Sequence, residues 1–435
     1  MHVHLRFRPS GRQRAAAVIG DQPDAIVEAL AALDAGESDE AALNARVLDR
    51  GGVESILRWH HVLGICREHN LLDYAAHVNG RWVATIEPLA PAVEMPQIGD
   101  GAPAPSRLSR FAYVRREGGR TLLESPLAPV RLELAPESVP IALDGPATAG
   151  DAGARAVLTL LQRFGFHDPL DHTEPPARRV WEFHDALFHH ASRLGGAKAG
   201  ATCRWRDEMP PWPALKTGGA SSRIALARPD LDAIARDDAP FTTVLEGRRS
   251  IRSAGAPLTI DQLSEFLFRA FRICAVDRAS AVETIRRVVP AGGGLHELEA
   301  YVAVRQCTGL DPGSYWYDAH AHALEPIGAA EDTVSAFVDQ AARSWGRRHP
   351  APDVLITLAA RLPRVAWTYE RMAYRVVLMN VGAVMQTMYL VATAMALAPC
   401  AVGNGSPDLF ATLTGIDPFD ETSVGEFALS GGAAP

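Results

Sequence analysis

Between Pro290 and Tyr301 the chain reads PAGGGLHELEAY, so three consecutive glycines run almost directly into a strand-like stretch, Leu298–Val304. Glycine has no Cβ, and a run of it lets backbone lie flat against a planar or charged ligand. The order is not the G-x-x-x-x-G-K-[ST] of a P-loop, nor the G-x-G-x-x-G of a dinucleotide-binding turn. Both of those cofactor folds are therefore disfavoured, and what remains is a glycine loop that opens a strand. Alone, such a loop also suits a plain turn; its flanking pieces give it weight.

Upstream lies Arg248-Arg249-Ser250-Ile251-Arg252. Guanidinium groups match a phosphate bidentately and a hydroxyl adds a donor, although the same cluster also occurs as solvated surface. Downstream, Gly403-Asn404-Gly405-Ser406 follows a long apolar run, Val376–Val402. That turn reads either as a pair of helix caps or as backbone amides beside the edge of a ring. Asn380, Gln386 and Thr387 interrupt the apolar run, and Pro399 ends its helical part. A buried core or interface helix is expected there, not a membrane span.

A length of 435 residues allows two or three domains. A net charge of -8 argues against a nucleic-acid partner. The five cysteines are scattered with no C-x-x-C pair, so no metal site is expected from them, and their odd number fits reduced thiols in the cytoplasm. His184, His189 and His190 are spaced so that they do not share one helical face, and no metal is expected there either. The N-terminus has no apolar signal core.

Residues 1–90 read as a small unit: an alternating strand at Val3, Leu5 and Phe7, helices, then a strand at Trp82–Ile86. This order suggests a winged-helix-like module. A linker rich in proline, glycine and alanine leads to a second small α/β module over 106–175, with a hairpin turning at Gly118-Gly119. A helix and linker arm spans 176–230, and residues 231–435 alternate helices with strands.

In this order the Arg248–Arg252, Pro290–Gly294 and Gly403–Gly405 pieces resemble the flavin-binding scaffold of the nitroreductase superfamily. More narrowly, they look like the SagB-type, cyanobactin-oxidase-like azoline dehydrogenases. Arg248, Arg249, Ser250 and Arg252 match the family's R-R/H-S-x-R element. Pro290, Gly292 and Gly293 match its P-S-x-G loop, with Ala291 where serine is usual. Gly403, Asn404 and Gly405 match the glycine turn after its central dimer helix, which Val376–Leu390 resembles. The closing GIDPFDETSVGEF, the aromatic helix WEFHDALFHHASRLG and the turn GLDPGSYWYD are similar to the same subgroup. The resemblance implies an α+β chain with an α/β/α flavin domain at its C-terminal end. It further implies FMN held by these residues at a homodimer interface.

The family's catalytic motif opens with a lysine-tyrosine pair, K-Y-x-R-x-x-Y-R. Here Thr368-Tyr369-Glu370-Arg371-Met372-Ala373-Tyr374-Arg375 keeps the tyrosine and arginines but puts threonine in the lysine position. Aromatising an azoline removes a proton from Cα and a hydride from Cβ, and the proton needs a base. Tyrosine titrates near ~10 unless a cation stands beside it, and Thr368 supplies none. Arg371, Arg375 or Arg364 is the candidate substitute, and His296 is a second candidate base. His296 equally reads as a packed loop histidine, and Tyr369 as a structural helix residue.

The N-terminal half is similar in plan to the winged-helix peptide-recognition modules of cyanobactin oxidases, which take a leader peptide as an added strand. The whole then implies a cytoplasmic FMN-dependent enzyme that converts peptide thiazolines or oxazolines to azoles. Its expected partners are a precursor peptide, both leader and azoline-bearing core, a cyclodehydratase complex and a second copy of itself. Two other readings stay open: an NAD(P)H-dependent nitroreductase-type flavin reductase, and a non-catalytic leader-binding scaffold.

Overall fold

The computed structural model describes residues 1–91, 93–95, 103–145, 151–171, 173–193, 206, 208–219, 222–252, 255–345 and 350–432. They form two compact units, Met1–Lys198 and Ala199–Pro435.

In the first unit, β1 (His2–Phe7), α1 (Gly11–Ile19), α2 (Asp24–Ala35), β2 (Ser38–Asp39), α3 (Glu40–Glu68), β3 (Leu72–Val78) and β4 (Arg81–Pro88) come first. Then follow β5 (Ser106–Leu108), β6 (Tyr113–Glu117), β7 (Arg120–Glu124), β8 (Val130–Leu134), α4 (Ser138–Asp144), α5 (Ala152–Arg163), β9 (His167–Pro169), α6 (Pro176–Arg179) and α7 (Phe183–Arg193). Gly52, at φ 68°, interrupts α3, where the sequence suggests two helices.

The division at 198/199 differs from the expected cuts at 90, 106, 175 and 230. Strand β4 pairs directly with β8, from Ala84 opposite Leu134 to Pro88 opposite Val130. Residues 1–90 and 106–175 therefore share one seven-stranded antiparallel sheet, ordered β2-β1-β3-β4-β8-β7-β6. A proline-rich stretch interrupts helix and strand periodicity without preventing the strands on either side from pairing. The 176–230 arm is divided, with α6 and α7 in the first unit and residues from 199 onward in the second.

The second unit runs β10 (Ile224–Ala225), α8 (Leu231–Asp237), α9 (Phe241–Gly247), α10 (Ile260–Phe271), β11 (Ile273–Asp277), β12 (Thr284–Arg287) and β13 (Leu298–Val304). It continues with β14 (Gly313–Asp318), β15 (Ala323–Pro326), α11 (Glu331–Ser344), β16 (Val354–Ala360), α12 (Leu362–Ala366), α13 (Ala373–Ala394), β17 (Ala398–Val402), α14 (Pro407–Thr414) and β18 (Thr422–Ser430). Its main sheet is ordered β10-β15-β14-β13-β16-β18-β17, all neighbours antiparallel.

Strand side chains alternate faces, and here both faces are covered. Val302, Ile356, Leu358 and Phe427 pack with α10 and α13 residues such as Phe266, Val377 and Met388. Tyr301, Leu355 and Ala428 pack with α11 and α14 residues Phe337 and Phe410. This is the expected α/β/α layering. The membrane-length apolar helix α13 buries one face in the first of these cores.

Candidate functional site

Antiparallel pairing brings the chemistry-bearing loops to one end of the second unit's sheet. The register sets Leu298 opposite Ala360, Ala360 opposite Thr422 and Val402 opposite Glu426. The loop before β13, the segment after β16 and the turn after β17 consequently emerge together. They carry Pro290–His296, Thr368-Tyr369 and Gly403–Gly405 respectively.

The glycine loop is a short turn of 3-10 helix over Gly292–Gly294. Gly294 N donates to Ala291 O at 3.2 Å, and Gly292 N donates to Asn380 Oδ1 on α13 at 3.2 Å. A Cβ on Gly292 would lie 2.5 Å from Val376, so only glycine fits. Gly293 sits at φ 60°, and a Cβ there would meet the Tyr369 hydroxyl at 2.9 Å. Tyr369 and the loop are thus in contact. Asn380 is buried and its Nδ2 also donates to both carboxylate oxygens of Glu297, at 2.9 and 3.1 Å. Burial raises the Glu297 carboxyl above its ordinary range.

His296 follows the loop at φ 49° and is buried. Burial, then the Arg287 and Arg364 guanidiniums, push its imidazole down to about 4. It is neutral at neutral pH and disfavours taking up a proton there. Arg364 does not serve Tyr369: it is buried and donates to Leu295 O, Trp212 O and Glu283 O, each at 2.7 Å. Thr368 Oγ1 is buried without a hydrogen-bond partner among the described residues.

The basic cluster meets the other half of α13. Ile251 N donates to Pro399 O on the edge strand β17. Arg248 lies over the Tyr389 ring at 5.2 Å, and Ser250 Oγ lies 2.7 Å from Tyr389 Oη. That hydroxyl also accepts the Ala401 N–H at 2.8 Å. No ion pair to Arg248, Arg249 or Arg252 occurs among the described residues. Three guanidiniums without carboxylates suit a dianionic phosphate. Asn380 and Tyr389 are nine residues apart on α13, about 13 Å along its axis. The glycine loop and the basic cluster therefore anchor to one helix but do not touch each other.

Gly403, Asn404 and Gly405 are exposed and lead into Ser406, whose hydroxyl caps α14 by accepting Leu409 N. Gly403 is open, with nothing within 4 Å of an added Cβ. At Gly405 a Cβ would fall 2.0 Å from the Glu426 carboxylate. Glu426 is buried with Oε1 unpartnered, and burial pushes its carboxyl up to about 7. An open glycine turn, a glycine loop under a tyrosine and an arginine cluster free of carboxylates among the described residues are each of a kind that suits part of a flat ring with a phosphate tail.

The irregular stretch before β10 is held as a strap. Arg361 donates to Pro213 O and Ala214 O, and Trp367 Nε1 donates to Met209 O. Ala214 N donates to Glu283 Oε2 at 2.9 Å. Lys216 bonds the Tyr301 hydroxyl and pairs with Glu421 at 2.5 Å. Sequence reasoning passed over Tyr389, Glu297, Glu426 and Lys216. A polar residue in an apolar run is the one available signal, and it singles out Asn380.

Residues 245–430 match the family described as Nitroreductase family. Residues 106–198 match the family described as Cyanobactin oxidase ThcOx. MJ1384 of Methanocaldococcus jannaschii, a nitroreductase by name, is 34% identical over 176 residues, which cover 40% of this chain and 81% of that protein. The trifolitoxin-processing protein TfxB of Rhizobium leguminosarum bv. trifolii is 24% identical over 175 residues, which cover 40% of this chain and 47% of that relative. Among solved structures, a chain of the E. coli microcin synthetase McbBCD complex with truncated pro-MccB17 bound aligns at TM-score 0.36 and 17% identity. It covers 57% of this chain and 86% of its own.

Proposed function

The chain belongs to the nitroreductase family of oxidoreductases, and from that premise we propose an FMN-dependent dehydrogenase that oxidises peptide thiazolines or oxazolines to azoles. The observation that carries the reading is the contact of Tyr369 with Gly293 at the sheet end where the Gly403–Gly405 turn also emerges. The cyanobactin-oxidase match over 106–198 and the name of the TfxB relative support a peptide as substrate.

Arg248, Arg249, Ser250 and Arg252 would hold the phosphate. Pro290, Ala291, Gly292 and Gly293 would present backbone to the ring, as would Gly403, Asn404 and Gly405. When bound, FMN supplies the hydride acceptor. Tyr369 would take the substrate proton. His296, neutral and buried, would be a packed residue of the loop and not the base, and Thr368 stands where the resemblance implies a lysine.

The first unit would capture the leader. It offers a groove of about 730 Å³ where apolar Val3, Leu5 and Met95 lie beside Tyr74 and the Arg67–Glu40 ion pair, a mixed lining that suits a peptide. The apolar Leu378 and Met379, exposed on α13, would face a second copy. We place the reaction in the cytoplasm, beside a cyclodehydratase.

Purification tests this reading. The protein should be yellow and release FMN, and a leader-bearing thiazoline peptide should lose two hydrogens per ring by mass. A colourless protein that FMN cannot reconstitute overturns it. The threonine at 368 favours a second reading, a leader-binding scaffold, which tight leader binding without turnover would establish.

A further inference from the structure

The N-terminal sequence His2-Val3-His4 places two histidines on one face of β1, because strand side chains alternate. Val3, Leu5 and Phe7 point the other way, and Leu5 and Phe7 are buried in the first unit's core. The register sets His2 directly opposite His77 on β3, and His4 opposite the small Ala75. That leaves room for the His4 and His77 rings to come together diagonally, centroids 5.0 Å apart. On the other side of β1, β2 pairs His4 with Asp39 and Leu5 with Ser38. Glu37, the next residue out, reaches the same face: its Oε2 lies 2.7 Å from His77 Nε2.

One nitrogen from each of His4 and His77 and one Glu37 oxygen lie within 4.8 Å of one another. Imidazole and carboxylate bond zinc at ~2.0–2.2 Å, so donors around one ion stand ~3.5 Å apart. Side-chain rotations of about an ångström, on a face that is only partly buried, close that gap. Asp39 does not compete, since its side chain caps α3 by accepting Ala42 N at 2.9 Å. Arg6 approaches Glu37 at 3.7 Å, a loose contact that leaves the carboxylate oxygen facing His77 in place. The histidines of α7, which carry the case against a metal in the sequence, take no part.

We propose that His4, His77 and Glu37 form a binding site for a divalent, imidazole-preferring metal ion of the zinc class, with solvent completing its coordination. Two imidazoles and a carboxylate are a donor set that zinc and its neighbours accept. The three segments it joins are distant in sequence, His77 lying 40 residues beyond Glu37. Binding there would fasten the sheet edge β2-β1-β3, and so the wall of the groove to which Val3 and Leu5 contribute. The site is independent of the flavin reading.

The test uses the full chain without a polyhistidine tag, stripped with a chelator and titrated with Zn²⁺ by calorimetry. One equivalent should bind, and the thermal midpoint should rise. His4→Ala and His77→Ala should each weaken binding at least tenfold, and Glu37→Gln, isosteric and exposed, should weaken it with no loss of fold by circular dichroism. Zn²⁺ binding that these three variants leave unchanged, or no binding beyond that of scattered surface histidines, overturns the proposal.

Discussion

Tyr389 Oη lies 2.7 Å from Ser250 Oγ and accepts the Ala401 N–H, so one phenol ties the basic cluster to the strand that leads into Gly403. Its ring packs edge-on against Phe427, with centroids 5.0 Å apart, and that packing survives loss of the hydroxyl. Tyr389→Phe should leave the fold intact but free Ser250 and strand an N–H, at a cost of about 1–2 kcal/mol. FMN affinity should fall about 5- to 30-fold. Fluorescence titration with FMN checks this, and unchanged affinity would detach the Arg248–Arg252 segment from the cofactor.

Tyr369→Phe removes a hydroxyl but keeps the ring against Gly293. If the phenol takes the substrate proton, turnover should fall about 10²- to 10⁴-fold while FMN content stays the same. Thr368→Lys places an ammonium beside it, where a buried hydroxyl now has no partner, and should raise turnover. Single-turnover mass spectrometry of a thiazoline peptide reads both changes. An active Tyr369→Phe enzyme would move the base elsewhere.

The candidate site was legible where glycine and arginine impose shape and charge. Gly292 meets the branched Val376 too closely for a Cβ, and such a position leaves a mark in sequence that needs no partner to interpret. Tyr389, Glu426 and Lys216 were not legible because their meaning lies in contacts with residues distant in sequence. Glu426 matters through Gly405, in the turn after the neighbouring strand, and Lys216 through Tyr301 and Glu421, the latter 205 residues away. The first unit failed in the same way: its strands were mostly visible by alternation, but the pairing of β4 with β8 across a proline-rich linker was not. Strand β3 escaped notice because Leu71–Ala76 is buried on both faces and has no alternation to show.

Arg364 holds the strap. Its three nitrogens satisfy three carbonyls from Leu295, Trp212 and Glu283, with little exposure to water. Arg364→Met should strand these acceptors and destabilise the second unit by about 3 kcal/mol or more. Urea unfolding followed by Trp212 and Trp367 fluorescence should show the loss, and residues 208–219 should become sensitive to protease. A variant as stable as the parent would mean that the strap's other contacts, from Arg361, Trp367, Glu283 and Lys216, suffice to hold it.

Met379 is 65% exposed on α13. If this face meets a second copy, Met379→Arg buries a charge in an apolar interface and should convert a dimer to a monomer. Light scattering after size exclusion reads the mass directly. FMN should be lost with the dimer if both copies contribute to its site.

His296 and Glu426 give opposite pH slopes. His296 falls from an ordinary 6.5 to about 4 on folding, so between those values the unfolded chain binds the extra proton. Its contribution to stability is therefore lost as the pH falls through that window. Glu426 rises from an ordinary 4.5 to about 7, so there the folded chain binds the extra proton. Its contribution is present below 4.5 and is lost as the pH rises through about 7. The two windows overlap, and each hides the other in the parent. His296→Asn should therefore gain stability relative to the parent as the pH falls from about 7 to about 5. Glu426→Gln should gain it as the pH rises over the same span, each by on the order of 2 kcal/mol. Urea unfolding at several pH values measures both differences. Flat differences for both variants would mean that water reaches these groups, and that the glycine turn does not rest on a buried acid.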